Sequence, residues 1–97
     1  MLSSMRADIF IDKTEGGSFQ ISVVRHGQSS GTARKYDAVG KAEAVLLAFG
    51  FKKALVDRQL QALSETPPSV LLRFPIADVA DDVLRSLGFT AAAFQAA

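Results

Sequence analysis

Hydrophobic and polar residues alternate in two stretches near the start of the chain, the pattern of strands with one buried face. In the first stretch, residues 7–13, the apolar positions are Ala7, Ile9 and Ile11, and Asp8, Phe10 and Asp12 lie between them. Residues 19–25 repeat the alternation. The intervening EGGS contains two glycines, which readily adopt the positive φ angles of a tight turn. We therefore predict an antiparallel hairpin with Asp8 and Asp12 on its solvent side.

A third strand is predicted over residues 31–36, where GTARKY continues the pattern more weakly. This segment would complete a three-stranded meander.

The hydrophobic period changes to that of a helix after Asp37. Apolar residues recur at helical spacing up to Phe49, so we predict a helix with Asp37 as its N-cap and Gly50 as its stop. A second amphipathic pattern runs from Leu55 to Leu63 and ends at TPP. The sequence therefore predicts two consecutive helices.

A later strand is predicted over residues 69–76, with Val70, Leu72, Phe74 and Ile76 on one side. Pro75 has no N–H to donate, which suits an edge strand or the end of a strand. Asp78 is the predicted N-cap of a last helix, which Gly88 would end.

The predicted order is β-β-(β)-α-α-β-α, an α+β fold in which a hairpin or meander and one later strand pack against about three helices. The length of 97 residues suits a single small globular domain. We expect residues 1–5 and 90–97 to be disordered or loosely packed ends.

The frame V-L-x-x-apolar-G-F occurs twice, at residues 45–51 and 83–89. We interpret both copies as helix stops, each with a left-handed glycine followed by a phenylalanine that packs back on the helix. The stretch LLAFGFKKALVDRQLQAL also resembles the ubiquitin-associated domain. That resemblance implies a partner-binding patch around Phe51, whereas the pattern itself favours a place for Phe51 in the core.

Composition narrows the functional classes. The chain has 48% hydrophobic and 22% charged residues and a net charge of +1, typical of an ordinary soluble domain. It contains no cysteine, which excludes disulfides and thiolate metal sites and fits a reducing compartment. No signal peptide or membrane-spanning stretch is recognisable. We predict a cytoplasmic protein without cofactor, metal site or membrane partner.

Basic residues concentrate in the middle of the chain, with seven Lys or Arg against three acidic residues from Arg25 to Arg58. The candidate anion or nucleic-acid contacts are Arg25, His26, Arg34, Lys35, Lys41, Lys52, Lys53 and Arg58. In layout, a meander followed by a helix resembles the small three-stranded DNA-reading domains of phage-type integrases. The two helices around Gly50 also allow a helix-turn-helix, with the basic residues of the second helix facing DNA.

The stretch VVRHGQS resembles the opening motif of the histidine phosphatase family. The resemblance implies a nucleophilic His26 and a phosphate-binding Arg25. That family also needs a second histidine, and His26 is the only histidine in the chain.

The sequence thus predicts a non-catalytic protein-interaction or self-associating module. Candidate partner contacts are Phe10 and Val24 on the outer hairpin face, or the edge of the strand that contains Pro75. The alternative is a nucleic-acid-binding domain that uses the basic residues 25–58. Phosphate chemistry at Arg25 and His26 is the remote alternative.

Overall fold

The structure is a computed structural model that describes residues 4–29 and 31–89. Within these residues it forms five strands and three helices, in the order β1 (Ser4–Lys13), β2 (Phe19–Arg25), β3 (Gly31–Tyr36), α1 (Val39–Ala48), α2 (Lys53–Ser64), β4 (Leu72–Arg73), β5 (Ala77–Ala80) and α3 (Asp81–Ser86). The predicted α+β class and element order are confirmed, with the last strand in two pieces.

The two predicted chain ends fall mostly outside the described residues, which omit 1–3 and 90–97. Ser4 and Met5, however, belong to β1, and Met5 is 95% buried because it pairs with Val79 of β5 and joins the core.

All strand pairs are antiparallel, in the spatial order β3-β2-β1-β4, and β5 also pairs with β1. The predicted hairpin is confirmed: β1 and β2 pair from Ala7 opposite Arg25 to Lys13 opposite Phe19. Its turn is closed by a hydrogen bond of 2.8 Å from the Thr14 N–H to the Ser18 carbonyl. The third strand is confirmed as well, since β3 pairs with β2 along its whole length.

The prediction of one continuous strand over residues 69–76 is wrong, because the strand is interrupted. Arg73 pairs with Phe10 and Ala77 pairs with Ala7, so three residues of this edge (74–76) lie opposite two residues of β1 (8 and 9). One residue too many on one strand is a β-bulge, and the bulge contains Pro75. The bulge breaks the predicted common face, since Phe74 is buried and Ile76 is exposed. Val70 is also exposed, because it lies before β4 begins.

The helices cover one face of the sheet, and we call the opposite face the outer face. The largest fully buried side chains of the core are Phe74, Phe89, Ile9, Ile11, Ile21, Leu46, Leu63, Leu84, Val23, Val56 and Val79. Aromatic contacts tie this core together: Phe49 packs on Phe89 with ring centroids 5.6 Å apart, and Phe51 packs on Phe74 at 4.7 Å. Phe51 therefore belongs to the core, as the sequence pattern favoured.

Both predicted aspartate caps are wrong. Helix α1 begins after Ala38 without a side-chain cap, and Asp37 pairs with Lys41 instead, at 2.9 Å. Asp78 lies within β5, opposite Arg6 of β1. Backbone pairing with β1 satisfies this segment, so it extends as a strand and α3 starts only at Asp81.

The two glycine stops are confirmed. Gly50 and Gly88 follow α1 and α3 with φ of 102° and 88°. At the end of α3 the Gly88 N–H donates to the Arg85 carbonyl, and the Phe89 N–H donates to the Leu84 carbonyl at 2.8 Å. This pair of bonds is the Schellman motif, and it directs Phe89 into the core.

Candidate interaction surface

The free side of β3 is an unpaired strand edge, and the hydrogen-bond pattern shows which residues supply it. The His26 N–H donates to the Arg6 carbonyl at 2.9 Å, which fixes the even-numbered residues of β2 as those bonded to β1. The odd-numbered residues of β2 therefore bond to β3, through Thr32, Arg34 and Tyr36. The N–H and C=O groups of Gly31, Ala33 and Lys35 point away from β2. Among the described residues no strand pairs with this side of β3.

The same register divides the side chains of β3 between the two faces of the sheet. Arg34 lies opposite Ile21, whose side chain is buried under the helices. Ala33 and Lys35 lie opposite Ser22 and Gln20, on the outer face. Every residue of β3 except Thr32 and Tyr36 is exposed.

One end of β3 borders a depression of about 380 Å³, lined by Ser18, Arg34, Lys35, Tyr36, Asp37 and Lys41. We call it the basic depression, because three of the predicted anion contacts meet there: Arg34, Lys35 and Lys41. Lys41 is partly neutralised by Asp37 at 2.9 Å, and the hydrogen bond from Lys41 lowers the pKa of Asp37. The basic depression still carries a net positive charge.

Tyr36, one of the residues that line the basic depression, has an unsatisfied hydroxyl. Its hydroxyl is buried and has no hydrogen-bond partner among the described residues. Burial raises the pKa of Tyr36, and the positive charge of nearby Arg34 opposes that rise. The hydroxyl is therefore a neutral donor at physiological pH.

Arg34 also has a structural role that its sequence position did not reveal. Its guanidinium donates a hydrogen bond of 3.2 Å to the carbonyl of Gly88, at the C-terminal end of α3. A cation there complements the negative end of the helix dipole. Arg34 thus joins the edge strand β3 to the last helix, 54 residues further along the chain.

A second concavity lies on the outer face beside β3, with a volume of about 220 Å³. This outer hollow is lined by Ser22, Val24, Gly31, Thr32 and Ala33. Gly31 approaches β2 closely: a Cβ there would collide with the Val23 carbonyl oxygen and lie 2.9 Å from a methyl of Val24, so only glycine fits at this position. Val24, a predicted partner contact, is half-buried and forms part of its wall.

Phe10, the other predicted partner contact, is also half-buried on the outer face. The guanidinium carbon of Arg73 lies 5.9 Å from the centre of its ring, within the range of a cation–π contact. Phe10 is consequently partly shielded by its own chain.

Asp8, His26 and Arg73 form a polar cluster on the outer face. The prediction that Asp8 faces solvent is wrong. It is only 9% exposed, and its carboxylate accepts a hydrogen bond of 2.9 Å from Arg73 and lies 3.1 Å from Nδ1 of His26. Burial raises the pKa of Asp8, but the hydrogen bonds from His26 and Arg73 outweigh burial and hold it below its ordinary value. Asp12 is likewise 7% exposed, beside Gln20. No local sequence signal could reveal this cluster, since Arg73 reaches Asp8 only through the β1–β4 pairing.

His26 is thus oriented by a carboxylate, an arrangement found where histidine acts as a base. It follows a strand of an antiparallel sheet rather than a parallel one, and the chain holds no second histidine. Within residues 4–29 and 31–89, no group of three or more His, Cys, Asp or Glu side chains could hold a metal ion. The geometry supplies a histidine held by a carboxylate, and the second histidine that a phosphatase site of this kind needs is missing from the sequence.

The remaining predicted basic residues lie away from the basic depression. Arg25 and His26 are at the other end of the β2–β3 pair, and Lys52 and Arg58 are exposed on or beside α2. Lys53 lies 3.3 Å from both Asp57 and Glu43, which raise the pKa of Lys53 through hydrogen bonds and charge. The eight residues therefore do not form one continuous surface.

No helix in the described part of the chain is long and apolar enough to cross a membrane. Comparison with known proteins found no matching family model, no matching curated sequence and no matching solved structure.

Proposed function

We propose that this protein is a non-catalytic interaction module that binds an extended, acidic segment of a partner protein as an additional strand beside β3. The observation that carries the proposal is the open edge of β3, where Gly31, Ala33 and Lys35 direct unpaired N–H and C=O groups outward next to the basic depression. Strand addition is a common way in which sheets bind extended peptides, because the peptide backbone completes the ladder.

The opposite edge of the sheet is less suited to this role. Strands β4 and β5 have two and four residues, and the bulge with Pro75 lies between them. Short strands, bulges and prolines are the usual means by which proteins block an edge. The six consecutive residues of β3 contain neither a proline nor a bulge.

Charge favours a different protein over a second copy as the partner. Two β3 strands paired with each other would gather two copies of Arg34 and Lys35 along one short pair of strands, and like charges brought close together repel. An acidic segment would instead neutralise these cations.

The expected affinity is modest. Three residues offer up to about six backbone hydrogen bonds, each worth roughly 0.5–1.5 kcal/mol. Ordering the backbone of the bound segment costs roughly 1–2 kcal/mol per residue, which offsets much of that gain. We therefore expect a short peptide to bind with a Kd of about 10 μM to 1 mM.

The test is a titration of ¹⁵N-labelled protein with a seven-residue peptide that alternates threonine and glutamate, followed by NMR. We expect the amide signals of β3 to shift. Replacing Ala33 with proline should abolish binding, since it removes an edge N–H but no hydrogen bond to β2. The matched control peptide alternates threonine and lysine and should not bind. Unchanged binding by the Ala33→Pro variant, folded by circular dichroism, or shifts elsewhere, would overturn the proposal.

Nucleic-acid binding is the second candidate, favoured by the meeting of Arg34, Lys35 and Lys41 in the basic depression. It can be tested by fluorescence anisotropy of labelled single- and double-stranded DNA and RNA at low and physiological salt. Binding that weakens steeply with salt and is reduced by Lys35→Glu would support it. No response at low salt would count against it.

Phosphate chemistry at His26 and a cytoplasmic location stay predictions. An unchanged rate of phosphomonoester hydrolysis in the His26→Ala variant would remove the first.

A further inference from the structure

We infer that the segment bound beside β3 carries an apolar side chain two positions away from an acidic one, with the apolar side chain in the outer hollow and the acidic one beside Lys35. This inference rests on the proposed function and specifies which partner sequences it selects.

The spacing follows from the geometry of β3. Ala33 and Lys35 are two residues apart, both project on the outer face, and both turn their backbone groups to the open edge. In either strand direction, each would lie opposite one residue of the added strand. Those two residues of the added strand are also two positions apart, and their side chains project on the same outer face.

The outer hollow selects an apolar side chain at the first of these positions. It adjoins Ala33, and Val24 and Gly31 form part of its wall. Its volume of about 220 Å³ accommodates a branched aliphatic side chain. None of the residues that line the outer hollow is charged, so it offers no counter-charge to an ionised side chain.

Lys35 selects a carboxylate at the second position. Lys41 and Lys53 already lie within 4 Å of acidic side chains, whereas Lys35 makes no ion pair with any described residue. Its side chain is exposed on the outer face, opposite the uncharged Gln20. An acidic side chain on the added strand would be its cross-strand partner.

The test uses threonine-rich seven-residue peptides with one valine and one glutamate two positions apart, synthesised in both orders because either strand direction can bind. Binding is measured by the NMR shifts of the β3 amides. For the order that binds, we expect about tenfold weaker binding when valine is replaced by alanine, and a several-fold loss when glutamate is replaced by glutamine.

Two protein variants assign these preferences to their sites. Ala33→Ile fills the outer hollow while keeping the backbone and should remove the preference for valine over alanine. Lys35→Gln should remove the preference for glutamate over glutamine and leave the valine preference unchanged. The exchanges within the peptides need no protein variant, so they remain informative even if one variant fails to fold.

The outcomes separate this inference from the proposed function. Equal binding of the valine and alanine peptides by the unmodified protein would overturn the inference, and strand addition would stand if Ala33→Pro still abolished binding. No shift of β3 with any acidic peptide would overturn both.

Discussion

Replacing Gly88 with alanine tests the link between the edge strand and the last helix. Gly88 has a φ of 88°, and an added Cβ would lie 2.6 Å from Nη1 and 2.7 Å from Cζ of Arg34. The guanidinium is the end of a flexible side chain, so it can swing away. It would then lose its hydrogen bond to the Gly88 carbonyl.

Two effects should lower the free energy of unfolding of the Gly88→Ala variant. An L-residue with a left-handed backbone costs about 1–2 kcal/mol. The lost hydrogen bond adds about 0.5–1.5 kcal/mol. Gly50→Ala provides the matched control, because Gly50 also ends a helix with a positive φ but has nothing within 4 Å of its added Cβ. Gly88→Ala should therefore destabilise the protein by about 1 kcal/mol more than Gly50→Ala.

Urea denaturation of four variants measures this difference: Gly88→Ala, Gly50→Ala, Arg34→Ala and the Gly88→Ala/Arg34→Ala double variant. An extra 1 kcal/mol corresponds to about 4–8 °C in Tm for a domain near this size. In the Arg34→Ala background, Gly88→Ala should cost no more than Gly50→Ala. Equal losses for both glycine variants in the unmodified protein would refute the reasoning, since Arg34 would then contribute nothing at Gly88.

Three further outcomes are expected. Phe74→Ala should cost about 3–5 kcal/mol in urea denaturation, whereas Ile76→Ala, two residues on but 42% exposed, should change stability by less than about 0.5 kcal/mol. Tyr36→Phe should raise stability by up to about 1 kcal/mol, measured in the same way, because it removes a buried hydroxyl without a partner. The folded-state pKa of Asp8 is below its ordinary value of 3.8, so its carboxylate stabilises the protein above that pH and loses this effect as pH falls through the lower value. Asp8→Asn should therefore unfold more easily than the unmodified protein at pH 6, and the gap should shrink below pH 4; a constant gap would contradict the assignment.

The elements that the sequence predicted correctly are those whose signals are local. Alternation and a paired-glycine turn are enough to define the hairpin of β1 and β2. The helix stops at Gly50 and Gly88 are also local, because a left-handed glycine ends a helix wherever it occurs.

The wrong predictions concern segments whose structure depends on pairing with a strand that is distant in sequence. The segment around Asp78 has the aspartates of a helix start, yet it is a strand because β1 offers backbone hydrogen bonds. The bulge at Pro75 breaks a face that looked continuous in the sequence. Asp8 looked solvent-facing because Arg73 and His26, which cover it, lie 65 and 18 residues away.

The candidate surface was only partly visible in the sequence. The sequence indicates Arg34, Lys35 and Lys41 as basic contacts, but it does not show that they border one depression. The outer hollow depends on the pairing of Gly31 with Val24, and a register of this kind is not encoded in either segment alone.

The bulge at Pro75 also bears on how many strands from other molecules the sheet is expected to accept. Sheets with two open edges can pair edge to edge indefinitely, because each added sheet provides a new open edge. Here β4 and β5 form an interrupted edge, and among the described residues only β3 presents a continuous open edge. Any chain that pairs with β3 ends the growth of the sheet at that point, unless it brings an open side of its own. If a partner strand binds beside β3 as proposed, the kinked opposite edge is unsuited to a second one, and we expect complexes of one-to-one composition.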